Sequence, residues 1–217
     1  MASSVIHWAI ANVYLQSQPQ ANREEFKAGV AEPDIAAYLQ GDQKKALSHY
    51  TDLEPRQQET AQNGDFCFRT MCRTKVNLYR FLRENDLGEN DFLWGYFCHL
   101  VGDYYFFNYF IDPKFFDDDR HKFRFIYSDY DRVARPVEER YNIANIDNPW
   151  ADLHRDGEPQ YFTLEALFDF IDRVGSIDLN KLRTAILNSS DEAWRSEIEH
   201  FYTEQQPATI RFPLPRL

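Results

Sequence analysis

Glycine, cysteine and methionine are scarce: 8 Gly, 3 Cys and 2 Met in 217 residues. A collagen-like or glycine-rich linker chain is excluded at once. Cys67, Cys72 and Cys98 lack the paired C-x-x-C spacing of a zinc knuckle or redox site, so they read as reduced, mostly buried thiols. Basic charge is in deficit as well. Lys and Arg number 24 against 35 Asp and Glu, a formal charge of -11, which repels a phosphate polymer and excludes extended nucleic acid as a partner. The start Met1-Ala2-Ser3-Ser4-Val5-Ile6-His7 lacks the basic-then-apolar pattern of an export signal, so the expected residence is cytoplasmic.

Long uncharged apolar runs are missing too. The one membrane-like stretch, Phe92 to Ile111, carries His99, Asp103, Asn108 and two glycines and is flanked by acidic residues on both sides. A spanning helix shows a Lys/Arg bias on one flank. This stretch reads as a buried helix, with no transmembrane segment expected.

What the sequence has in excess is aromatic: 18 Phe, 13 Tyr and 4 Trp, or 16% of the chain, within 43% hydrophobic residues. Large rings favour a helix-rich interior packed by aromatics. No repeat or Ser/Gly-rich linker divides the chain, so the expectation is a single all-α domain over residues 1–217, with seven to nine helices.

Apolar residues Ile6, Ile10, Val13 and Tyr14 recur at helical steps and predict a helix from Ser4 to Gln16, with His7 on or beside its inward stripe. Gly29 to Ile35 reads as a helix end, a turn at Pro33 and a cap at Asp34. A short helical piece is expected over Asp42 to Tyr50, and a basic-faced helix over Phe66 to Glu84. A turn around Gly88 leads to the aromatic helix, capped by Asp91 and running to about Phe110. A helix from Tyr127 to Tyr141 is expected to kink or start late at Pro136. Residues 142–161 read as a loop, helices follow at Thr163–Val174, Leu179–Leu187 and Asp191–Thr203, and the Pro-rich tail from residue 205 reads as extended.

The chemistry-bearing pattern lies in the aromatic helix. Gly95, His99, Gly102 and Asp103 are spaced by four, three and one, which puts them on one stripe of an otherwise apolar helix. A buried carboxylate needs a partner, and His99 and Asp103, one turn apart, can converge on one cation. The plainer alternative is a neutral histidine hydrogen-bonded to the aspartate. His7, Asp34 and His49 lie in similarly apolar text, and the five residues together make a donor set of three imidazoles and two carboxylates suited to zinc or another borderline divalent ion.

The order and spacing of His7, Pro33-Asp34, Ser48-His49 and Gly95-Tyr96-x-x-His99-x-x-x-Asp103 resemble the zinc-dependent phospholipase C family, which shares its helical fold with the S1/P1 nucleases. The likeness spans roughly Ile6 to Asp131. It implies a zinc cluster that cleaves phosphate esters, with Asp34, His49, His99 and Asp103 at central metal positions and His7 at the site nearest the N-terminus. The family's following His-x-x-x-Glu pair has no counterpart. His121 is followed four residues on by Phe125, which leaves Asp131 or Asp129 to stand for the missing glutamate. The expectation is one to two zinc ions, with a metal-activated water attacking a small phosphate ester, lipid headgroups included, and Asp34 as general base. The rival expectation is a non-catalytic helical protein that keeps the fold and a single metal. Asp117-Asp118-Asp119, His121 and His154 read as surface features, and the Glu197-x-x-His200 spacing of di-iron bundles lacks the second copy and further glutamates such a site needs.

Overall fold

The structure is a computed structural model that describes residues 4–40, 47–52, 76–111, 123–143, 161–191 and 193–204. Among these residues it is all-α, with eight α-helices: α1 (Ser4–Gln16), α2 (Arg23–Gln40), α3 (Leu78–Glu84), α4 (Asp91–Tyr105), α5 (Phe123–Tyr141), α6 (Leu164–Gly175), α7 (Leu179–Asn188) and α8 (Trp194–Glu204). A single antiparallel bridge, Thr51 to Val76, is the nearest approach to a strand among them. None of these helices is long and apolar enough to cross a membrane.

Capping follows the residue chemistry. Asn77, Asn90, Thr163 and Asp178 each turn a side-chain oxygen onto a free N–H of the first turn, at α3, α4, α6 and α7. The cap of α4 is therefore Asn90, with Asp91 in the first turn. Past Tyr105 the chain widens into a π-turn over Phe106–Phe110, and Ile111 N–H donates to the Phe106 carbonyl at 2.9 Å.

α1 is central. It packs against α2, α4, α5 and α6, and its buried residues Val5, Ile6, His7, Ala9, Ile10, Ala11, Tyr14 and Leu15 leave only a narrow exposed edge. α4 is likewise buried nearly all round, so its polar residues must face other helices. The broadest contact in the fold is α2 on α4. Two glycines allow it: a Cβ on Gly29 would stand 1.9 Å from the Phe92 carbonyl oxygen, and one on Gly95 would stand 1.9 Å from the Phe26 carbonyl oxygen. The two backbones touch where the side chains are missing, which places the α2 carbonyls against the inward face of α4.

Three sequence expectations are corrected. Pro33 does not end a helix: α2 runs unbroken from Arg23 to Gln40, with Asp34 in its interior and not at a cap. Proline removes one N–H and crowds the carbonyl four residues back. That carbonyl is Gly29's; the packing of α2 on α4 carries the helix through the proline, and the nearby Val30 and Pro33 carbonyls accept from other segments, from His99 Nδ1 at 2.8 Å and Ser48 Oγ at 2.9 Å. The helix expected over Phe66 to Glu84 does not run unbroken: Val76 is bridged to Thr51 and Asn77 caps α3, while residues 66–75 lie outside the described residues. α5 likewise runs through Pro136 and starts four residues before the expected Tyr127. The expected 142–161 loop and extended tail fall mostly outside the described residues, as do Cys67, Cys72, Asp117–Asp119, His121 and His154.

Candidate metal centre

Four segments deliver five polar side chains to one point in the core. α1 supplies His7, α2 supplies Asp34, the turn at 47–50 supplies His49, and α4 supplies His99 and Asp103. The side chains of His7, His49, His99 and Asp103 are at most 2% exposed, whereas Asp34 is 18% exposed and forms the accessible edge.

The separations are short and similar. His49 Nε2 lies 3.3 Å from His99 Nε2, 3.5 Å from Asp34 Oδ1 and 3.6 Å from Asp103 Oδ2, and His99 Nε2 lies 3.6 Å from the same Asp103 oxygen. Ligand bonds of about 2.1 Å at tetrahedral angles place donor atoms about 3.4 Å apart. The four separations therefore have the size of tetrahedral edges. His7 approaches from the other side of Asp103, with Nε2 at 3.2 Å from Oδ1, and its ring lies flat on that of His99 with centroids 3.7 Å apart. Two overlapping groups of donors, His7–Asp34–His99 and His49–His99–Asp103, could each hold an ion.

The proton bookkeeping points the same way. His99 Nδ1 sits 2.8 Å from the Val30 carbonyl, which can only accept, so Nδ1 carries the proton and the neutral ring presents a lone pair at Nε2. That lone pair faces the second imidazole and two carboxylates. His7 Nδ1 and Nε2 and Asp34 Oδ1 are buried with no aligned hydrogen bond; the contact from His7 to Asp103 is close but badly angled. Buried polar atoms left this way are costly unless something satisfies them.

The electrostatics describe a centre that demands positive charge. Burial alone would raise both carboxyls, but contact with His49 and the attraction of His99 and His7 hold Asp34 below its ordinary range, and His7 and His99 hold Asp103 well below its own. Burial pushes the imidazoles of His7 and His49 down, toward the neutral form that a metal needs. Burial acts on His99 in the same sense, but the Asp103 and Asp34 carboxylates outweigh it and raise the ring, so a proton goes to the point where the donors converge.

Glycine makes room here as well. A Cβ on Gly102 would come 3.1 Å from His7 Nδ1, so the missing side chain on α4 seats the His7 ring; Gly95 is filled by the α2 backbone.

Asp129 and Asp131 do not join the cluster among the described residues. The reason is plain for Asp129: its Oδ1 accepts from Arg132 Nε and Nη2 at 3.1 and 2.8 Å, and its Oδ2 accepts from the Tyr161 and Phe162 N–H groups at 2.7 and 3.0 Å. All four lone-pair directions are in use, tying α5 to the entry of α6. Glu197 and His200 lie on α8, outside both donor groups. A cleft of about 360 Å³ lined by Tyr14, Phe26, Glu89, Asp91 and Trp94 opens elsewhere and touches none of the five.

Sequence reasoning missed the supporting groups. The Val30 carbonyl leaves no sequence signal, being backbone, and Ser48 could be suspected only from its place beside His49. No family model matches the chain, and no curated protein or solved structure is significantly similar to it.

Proposed function

We propose that the protein binds a divalent metal ion, zinc by the chemistry of the donors, and uses it to hydrolyse a small phosphate ester. The observation that supports this most strongly is the convergence of His49 Nε2, His99 Nε2 and Asp103 Oδ2 at separations of 3.3 to 3.6 Å, the size of tetrahedral edges, with Asp34 Oδ1 3.5 Å from His49 Nε2. The chain order of these residues, similar to that of the zinc-dependent phospholipase C family, supports the same substrate class and that family's type of helical fold. His49, His99 and Asp103 would hold the ion, with His7 bracing the outer oxygen of Asp103. When bound, the ion supplies Lewis acidity and lowers the pKa of a water toward ~7. Asp34, the most accessible of the five, is kept ionised by its depressed pKa and is the carboxylate placed to act as general base once its histidine neighbours are neutral.

A second reading is a metal held without catalysis. It is favoured by the near-complete burial of three imidazoles and Asp103, since closed sites with four protein ligands are structural. Elemental analysis of the purified protein, followed by hydrolysis of bis(p-nitrophenyl) phosphate with and without added zinc, separates the two. Bound metal with turnover that vanishes in Asp34→Asn and His99→Ala supports the hydrolase. Bound metal with no turnover supports the closed site, and no metal under any loading overturns both.

A further inference from the structure

Ser48 precedes a metal-cluster histidine, and its hydroxyl stands between two of the segments that build the centre. Its Oγ is 2.9 Å from the Pro33 carbonyl oxygen on α2 and 3.0 Å from His49 Nδ1. A hydroxyl has one proton, and the carbonyl can only accept, so that proton goes to Pro33. The Ser48 lone pairs are then left to accept from His49 Nδ1–H. A neutral imidazole protonated at Nδ1 carries its lone pair at Nε2, the nitrogen 3.3 Å from His99 Nε2.

We infer that Ser48 is a positioning residue that sets the tautomer and orientation of His49, so that both imidazoles present lone pairs to the same point. Its hydrogen bond to the residue beside Asp34 also locks the register of the 47–50 turn on α2, and Tyr96 O–H donates to the Ser48 carbonyl from α4. Three segments of the centre are thus joined through one serine. The equivalent device on His99 is the Val30 carbonyl. Groups of this kind fix ring orientation and raise ligand basicity, and losing one typically costs ~10- to 100-fold in metal affinity.

The inference rests on the metal-binding reading, but one of its tests does not. In metal-free protein, nitrogen-15 NMR of the imidazoles reads the His49 tautomer directly. The wild type is expected to show the Nδ1–H form, and Ser48→Ala to lose that preference; an Nε2–H form in the wild type overturns the inference even if metal binds. In zinc competition against a chelator, Ser48→Ala should bind ~10- to 100-fold more weakly, with Ser48→Thr, which keeps the hydroxyl, closer to wild type. Equal affinity in wild type and Ser48→Ala overturns the inference while leaving the metal centre intact. If the alanine variant does not fold, the wild-type tautomer and the threonine variant decide it.

Discussion

Replacing Gly95 by alanine should break the fold at the place that builds the centre. A Cβ there would lie 1.9 Å from the Phe26 carbonyl oxygen and 3.0 Å from the Val30 amide nitrogen, both backbone atoms that no side-chain rotation can clear. Restoring an ordinary contact of roughly 3.2 Å requires α2 and α4 to part by about 1.3 Å at the crossing, and overpacking of this kind costs about 1–3 kcal/mol. Parting also stretches the 2.8 Å bond from His99 to Val30 and leaves the buried His99 Nδ1–H unsatisfied, at about 1–3 kcal/mol more. A total of about 4 kcal/mol lowers Tm by ~8–16 °C for a chain of this size. Gly88→Ala is the control: nothing lies within 4 Å of its added methyl, so only its positive φ of 39° is penalised, at about 1 kcal/mol. Thermal unfolding of both variants by circular dichroism is the assay. If Gly95→Ala melts within 2 °C of wild type, or falls no further than Gly88→Ala, the backbone crossing does not have the role assigned to it.

The remaining predictions concern other groups. Burial pushes the Cys98 thiol up to about 12, so its peptide should stay unalkylated by iodoacetamide in native protein at pH 8 and become labelled only in denaturant, as read by mass spectrometry. Asp129→Ala should cost about 3 kcal/mol by stranding Arg132 and two N–H groups, yet leave metal content unchanged; a loss of metal without a loss of stability would return Asp129 to the centre. The folded-state pKa values of Asp34 and Asp103 lie below the unfolded value near 3.8, so the stability they contribute is present above that pH and lost as pH falls below it. Metal-free wild type should therefore lose Tm steeply from pH 5 to 2.5, and Asp34→Asn less steeply; parallel profiles would contradict this.

Helical periodicity made much of the fold legible. α1 matches the helix read over Ser4 to Gln16, and α6 and α7 fall within one residue of the expected Thr163–Val174 and Leu179–Leu187. Pro33 misled because proline propensity is local, whereas α2 is held through it by its broad packing on α4. The five polar residues could be picked out because each interrupts apolar text, and buried ionisable groups have to be paired. His49 taken alone reads as a surface residue, yet it is fully buried, since only the tertiary fold brings Asp34, His99 and Asp103 around it. The two glycines of α4 were legible as gaps but not as to what fills them: a helix backbone at Gly95 and the His7 ring at Gly102. The carboxylates of Asp129 and Asp131 could not be told apart from ligands by sequence, because the partners that occupy Asp129 include backbone N–H groups some thirty residues away.

An anomalous-difference map from zinc-loaded crystals, collected across the zinc absorption edge, addresses the metal centre most directly. The arrangement predicts a peak about 2.0–2.2 Å from His49 Nε2, His99 Nε2 and an Asp103 oxygen, with Asp34 beside it. Featureless density at that point in saturating zinc, with the five side chains placed as described, would contradict it.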